Sequence, residues 1–424
     1  MRIVFVTTEY VSEAYCSGGL GNYVRRVSLA LTSMGHEVDV LVPSSLASRE
    51  NEEYMDEGIR IHPIERSWSL VGRMVNMATL GLLVELITNL KFSFKVHQIL
   101  LKLHKMSGID MAQFCNLSGC GLISNLLPLP FPSCVRVSNY RPSWDKAMQV
   151  RASWNRKANQ VMELLQVMLA RHVFSPSVNT KKIWQKRIGV NRVQVIRSPF
   201  FLENSEWDYS VFDRHLSEKE YLLFFGRLEL HKGIQPLAGA LPDFLATNEH
   251  AFAVFVGLDR PTPVAVSMRD YIVSCCGDLA DRLVFIGQTP HSRLYPIISN
   301  ARLVVLPSLV DNFPNACLEA MALGKPVIGT IGASFEEIII DGETGFLVPA
   351  GSMDALAAKL NEAWVHPRLD EIGRAASKRM EEFVPDRTVQ DLLDYYALIQ
   401  EEYVHRKQVD RPRLFKSGRQ ASNR

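Results

Sequence analysis

Residues Leu306–Thr330 read LPSLVDNFPNACLEAMALGKPVIGT, and no other part of the 424-residue chain says as much about fold and function. A buried strand over Leu303–Leu306 ends at Pro307. Pro314 suits a first helical turn, and Gly324 with Pro326 stops the helix that follows. The stretch therefore builds a loop and a helix start at the carboxyl end of a strand, where open α/β sheets bind ligands. It sets Asp311 and Glu319 eight positions apart across that loop and helix. Two carboxylates there are costly unless they meet hydroxyls, cations or water.

Outward from this stretch the chain alternates strands and helices. Tyr221–Phe225, Ala251–Val256, Leu283–Ile286, Leu303–Leu306 and Pro326–Thr330 read as strands of one series. Arg2–Thr7, Glu37–Val42, Met111–Phe114, Ser133–Val137, His172–Phe174 and Gln194–Ile196 read as strands of an earlier one, with a helix over Leu20–Met34. Each series predicts a parallel, doubly wound sheet. Ser198–Lys219 breaks the pattern and reads as a linker. The boundaries expected are 1–198 for a first domain, 199–385 for a second, 386–405 for a final helix and 406–424 for a disordered basic tail. That tail holds seven basic residues against Asp410 alone.

Composition narrows the class. The chain is 47% apolar and 22% charged with a formal net charge of +2, which describes a globular protein and gives no case for nucleic acid. Seven cysteines without a CxxC pair read as reduced thiols in a cytoplasmic protein, and no metal spacing is present. The start, MRIVFVTTEY, lacks a signal-peptide pattern, so the mature chain is expected to begin here. The apolar segment Trp68–Lys105 has only positive charges besides Glu85. It fits either helices lying on an anionic membrane surface, at the inner face, or core helices with solvated lysines.

Two loops carry further candidates. FFGRLELHKG (Phe224–Gly233) follows a strand and sets Arg227 and Lys232 beside a helix start, an arrangement that suits a diphosphate and equally an ordinary basic surface loop. YCSGGLGNYV (Tyr15–Val24) joins the first strand to its helix. Gly18, Gly19 and Gly21 there allow close approach of backbone to a ligand. The spacing is not G-x-G-x-x-G and no acid ends the second strand, which argues against a dinucleotide oxidoreductase.

Taken together and in order, GGLGNYV, FFGRLELHKG, PSLVDNFPNACLEAMALGKPVIGT and ASFEEIIIDGETGFLV resemble retaining glycosyltransferases of family 4, including glycogen synthase-like and polysaccharide-biosynthesis members. The resemblance implies the GT-B fold: two Rossmann-like domains facing a cleft, with the final helix returning to the first domain. It implies that Arg227 and Lys232 neutralise the donor diphosphate, that Glu319 accepts from the ribose hydroxyls and that Asp311 lies near the donor sugar. The donor side then includes Gly18, Gly19, Gly226, Gly287, Gln288, Asn312, Phe313, Pro314, Asn315 and Leu318, with Ile286–Thr289 near the base. Backbone N–H groups of Asn312, Phe313 and Asn315 are candidates for sugar hydroxyls or phosphate. Asn116, Arg136, Ser138 and Asn139 are assigned to the acceptor side or, alternatively, to a solvated strand end. Many relatives carry a histidine after the strand that here reads IDMAQFCNLSG, where this chain has Gln113 and Asn116.

The function expected from this resemblance is metal-independent, cofactor-free transfer of a hexose from a UDP- or GDP-sugar, with retained configuration, to a hydroxyl of a glycan or lipid-linked acceptor. A catalytically silent nucleotide-sugar-binding protein is the alternative. The departure at Gln113 and Asn116 bears on the identity of the donor sugar.

Overall fold

The structure is a computed structural model and describes residues 1–11, 18–46, 52–65, 84–189, 192–203 and 205–417. Tyr15–Ser17 of the glycine loop, Trp68–Leu83 of the apolar segment and residues 418–424 lie outside the described residues.

The first domain is built on β1 (Arg2–Val6), β2 (Glu37–Pro43), β3 (Tyr54–Asp56), β4 (Ile59–Ile64), β5 (Met111–Cys115), β6 (Ser133–Arg136), β7 (Val173–Ser175) and β8 (Val193–Val195). Its helices are α1 (Gly19–Ser33), α2 (Val84–Ser107), α3 (Leu122–Leu126), α4 (Arg141–Ala147), α5 (Trp154–Leu169) and α6 (Val178–Ile188). The strand order is β3-β4-β2-β1-β5-β6-β7-β8. All neighbours are parallel except β3 and β4, an antiparallel edge pair that the sequence reading did not foresee.

The second domain holds β9 (Glu220–Phe225), β10 (Ala251–Val256), β11 (Leu283–Ile286), β12 (Leu303–Val305), β13 (Val327–Ile331) and β14 (Phe346–Pro349). They form a parallel sheet in the order β11-β10-β9-β12-β13-β14. Its helices are α7 (Ser210–His215), α8 (Ile234–Thr247), α9 (Met268–Cys276), α10 (His291–Asn300), α11 (Asn315–Ala322), α12 (Met353–Trp364) and α13 (Leu369–Arg379). Near-continuous apolar runs such as AFAVFV make strands buried on both faces, as a doubly wound sheet requires. The linker read at Ser198–Lys219 contains α7.

The last helix, α14 (Pro385–Ser417), crosses back to the first domain. Val389, Leu392, Tyr396 and Ile399 join that domain's core, and Tyr396 Oη donates to Gln113 Oε1 at 2.6 Å. The helix continues through much of the stretch expected to be a disordered tail, as far as Ser417. Tyr403 and Lys407 hold it there by donating to the carbonyls of Leu129 and Pro130.

Candidate active site

The carboxyl ends of β9 and β12 are adjacent in the second sheet, so the loops that follow them meet. Gly233 fixes how closely. It adopts φ +74°, and a Cβ there would fall 1.8 Å from the Pro307 carbonyl oxygen, so only glycine lets the two loops touch. The contact brings Lys232 Nζ to 2.5 Å from Asp311 Oδ2, both side chains being part-buried. Arg227 remains 41% exposed on the cleft wall, with Nη1 3.4 Å from Glu229 Oε1.

The first domain presents α1 to this wall. Its N-cap, Gly18, is extended and offers no side-chain cap. A methyl group on Gly18 would stand 3.7 Å from Arg227 Nη2 and 3.4 Å from Glu9 Oε2. The Glu9 carboxyl lies beside this helix start, near the Gly21 N–H. Burial raises the Glu9 pKa, against the opposing pull of Arg227 and that N–H. Gly19 faces the side-chain nitrogen of Asn315, the first residue of α11.

Glu319 is buried one helical turn further along α11 and meets two basic side chains. Arg26 of α1 donates from Nη2 to Glu319 Oε1 at 3.2 Å and from Nη1 to Asn315 Oδ1 at 3.3 Å. His291 Nε2 lies 3.7 Å from the same Oε1, and its Nδ1 lies 3.0 Å from Glu203 Oε2. Burial alone would lower the His291 pKa, but the Glu203 hydrogen bond and the charges of Glu319 and Glu203 outweigh it and hold the pKa above 6.5. A second set of contacts closes the cleft at α6. Glu337 accepts the N–H groups of Val178 and Asn179 at 2.8 and 2.9 Å, Thr180 Oγ1 donates to Asn312 Oδ1, and Ser334 Oγ donates to Ser177 Oγ.

Basic and acidic residues of the second domain thus line one wall of a cleft whose other wall is a glycine turn at a helix N-terminus. Residues 207–379 match the family model described as "Glycosyl transferases group 1", and residues 2–105 match "Starch synthase catalytic domain". The chain carries a glycosyltransferase group 1 domain. It is 25% identical over 403 residues to the glycogen synthase of Mycobacterium tuberculosis, covering 90% of both chains. Among solved structures it resembles sucrose-phosphate synthase from Thermosynechococcus elongatus, with TM-score 0.74 at 19% identity, covering 94% of this chain and 98% of that one. It also resembles the Anabaena protein HepE in complex with UDP-glucose, with TM-score 0.69 at 16% identity, covering 94% and 99%. These likenesses establish the GT-B fold.

Within the glycosyltransferase domain several expected donor contacts are placed differently. The Asn312 N–H donates to Asp311 Oδ1 at 2.9 Å and is not open to a ligand there. Leu318 is fully buried, and Phe313 packs on Phe383, so both side chains belong to the core. Pro314 is the N-cap and not the first helical residue. Gly226 follows β9, with its N–H on Val256. Gly287 and Gln288 are exposed after β11, just ahead of the α10 start that carries His291.

The expected acceptor residues turn inward. Asn116 is fully buried, with its side chain accepting the Ser138 N–H at 2.7 Å and donating to the Asn139 carbonyl at 3.1 Å. Arg136 is buried against the Tyr23 ring and donates to Ser138 and Ser198. Asn116, Arg136 and Ser138 therefore brace the ends of β5 and β6 and do not line an open acceptor side. Asn139 is half-buried beside them. Gln113 is also internal, accepting from Tyr396 Oη.

Glu9, Arg26, Glu203, His291 and Glu337 were not identified from the motifs as site residues. Of these, only Glu337 falls inside one of the four motifs, ASFEEIIIDGETGFLV.

Proposed function

We propose that this chain is a retaining glycosyltransferase of family 4. It moves a hexose from a UDP- or GDP-sugar to a hydroxyl of a glycan or lipid-linked acceptor, with no metal and no resident cofactor. The observation that carries this reading is the junction of Arg227 and the Lys232–Asp311 pair with the glycine turn of α1 on one cleft. Arg227 and Lys232 supply positive charge where the departing diphosphate gains negative charge, the contribution that lowers a barrier most. When phosphate takes over Lys232, Asp311 is released toward the sugar hydroxyls. The acceptor oxygen bonds to the anomeric carbon on the face from which the phosphate oxygen leaves, and that phosphate oxygen takes the hydroxyl proton. The HepE complex with UDP-glucose supports a nucleotide-sugar donor.

The lipid-linked form of the acceptor, and attachment to the cytoplasmic face of a membrane, draw support from the first domain's surface. Along α5, Trp154, Val161, Leu165 and Met168 are exposed with Lys157, while its acid Glu163 is buried on Arg141 at 2.6 Å. Leu126 and Leu127 at the end of α3, and Phe94 and Leu101 on α2, are also exposed apolar side chains of this domain. Such a face with lysines suits an anionic leaflet. Among the described residues no helix is long and apolar enough to cross a membrane.

One observation favours a catalytically silent nucleotide-sugar binder as the second reading: Gln113 and Asn116 are both committed to internal hydrogen bonds. Incubation with UDP-glucose, UDP-galactose and GDP-mannose separates the readings. Transfer or donor hydrolysis, lost in Arg227→Ala, supports the enzyme. Calorimetric binding without either supports the binder. If no donor binds and Arg227→Ala changes nothing, both readings fail.

A further inference from the structure

Arg26 and Glu319 are 293 residues apart in sequence and belong to different domains, yet both are almost fully buried and form an ion pair. Such a pair contributes little net stability, because desolvation of both charges offsets their attraction. Its geometry is more informative. Arg26 Nη2 and His291 Nε2 both approach Oε1 of Glu319, and among the described residues no hydrogen bond reaches Oε2. Arg26 is itself confined: Nη1 is on Asn315, and Cζ lies 5.0 Å from the Phe200 ring centroid and 5.8 Å from that of Phe201. The carboxylate is therefore held by one oxygen, with the other left to accept from a ligand hydroxyl. The helix that carries Arg26 also carries the Gly18–Gly19 turn facing Arg227.

We propose that Arg26 is a positioning residue that aims Glu319 at the ribose of a nucleoside diphosphate, so that sugar recognition by the second domain depends on the first domain being docked. The proposal rests on the glycosyltransferase reading above. A 2′-deoxy nucleotide lacks one hydroxyl of the diol, and a site built around a buried acceptor discriminates against such an analogue. Without Arg26, Glu319 keeps only the longer contact to His291, and that aim is lost.

The test is calorimetric titration of UDP, 2′-deoxy-UDP, GDP and 2′-deoxy-GDP into the full chain and its variants. The wild type should prefer the ribonucleotide of one pair by about tenfold, the size set by one lost hydrogen bond to a charged group. Arg26→Gln should weaken the ribonucleotide by about the same factor and leave its deoxy analogue nearly unchanged, erasing the preference. Arg26→Lys should restore most of it. Arg26→Gln in a Glu319→Gln background should add no further loss, since residues acting through one contact are not additive. Thermal melts run beside each titration identify a variant that merely unfolds, in which case the Lys variant and the Glu319→Gln background decide. Retained preference in Arg26→Gln, or additive losses in the double variant, overturns the role of Arg26 and leaves the enzyme reading intact. A folded wild type that binds none of the four nucleotides overturns both.

Discussion

Lys232 and Asp311 meet at 2.5 Å, joining the loop after β9 to the loop after β12. The contact shows why a cation and an acid on separate crossovers act as one unit: the same phosphate that draws Lys232 away frees Asp311. Lys232→Ala is expected to lower kcat by about 100-fold, as loss of one preorganised transition-state contact does. Because the pair is part-exposed, stability should change by no more than about 1 kcal/mol. Steady-state kinetics and thermal denaturation of the same variant check both halves.

Glu9 makes the stability of the fold depend on pH. Its pKa is raised above 4.5, chiefly by burial, so the folded state holds the proton more tightly than the unfolded chain does. The stability this contributes is full below 4.5 and is lost as pH rises through the folded-state value. Glu9→Gln keeps the neutral shape at all pH values. It is expected to melt higher than wild type at pH 7, with the gain shrinking toward pH 4. A constant difference across that range would refute the assignment.

Glu337 joins the domains through the start of α6. Its carboxylate accepts two free N–H groups there, at a helix end whose dipole favours an anion. Glu337→Ala should cost about 1 kcal/mol, the usual worth of a cap. It should also loosen domain closure, read as a larger radius of gyration in small-angle X-ray scattering of the unliganded protein. An unchanged scattering profile would show that the remaining contacts between the domains keep the cleft closed without Glu337.

The exposed stripe of α5 gives a direct membrane test. Val161→Glu with Leu165→Glu should abolish co-sedimentation with vesicles containing anionic phospholipid. It should leave the melting temperature nearly unchanged, because both side chains are already in solvent. Neutral phosphatidylcholine vesicles should bind the wild type weakly. Equal binding to both lipids, or no effect of the two charges, removes the support for a membrane-facing acceptor.

The fold was legible where strands are buried on both faces. Runs such as YLLFF and AFAVFV announce themselves, and the glycine and proline stops between them mark the crossovers. The β3–β4 pair was not legible, since three-residue β3 lies exposed at the sheet edge and shows no apolar run. The cationic and acidic motifs were legible because their residues sit at strand ends with recognisable spacing. Asn116, Arg136 and Ser138 misled for the opposite reason: polar residues at a strand end look alike whether they face a ligand or brace a neighbouring loop.

Arg25 and Arg26 show where reading the chain stops. They are adjacent on α1, and a helix turns about 100° per residue. One guanidinium therefore goes out to Glu57 and the other goes in to Glu319. The order of residues alone determined two βα series, the glycine turn, the Arg227–Lys232 loop and the Asp311–Glu319 loop, because each is a local pattern of backbone freedom and burial. Only the packing of one domain on the other decided that Arg26 joins His291 at Glu319, and that Glu337 crosses to α6. Those contacts join residues far apart in the chain, and their partners are chosen by the low-dielectric cleft that forms when the two sheets face each other.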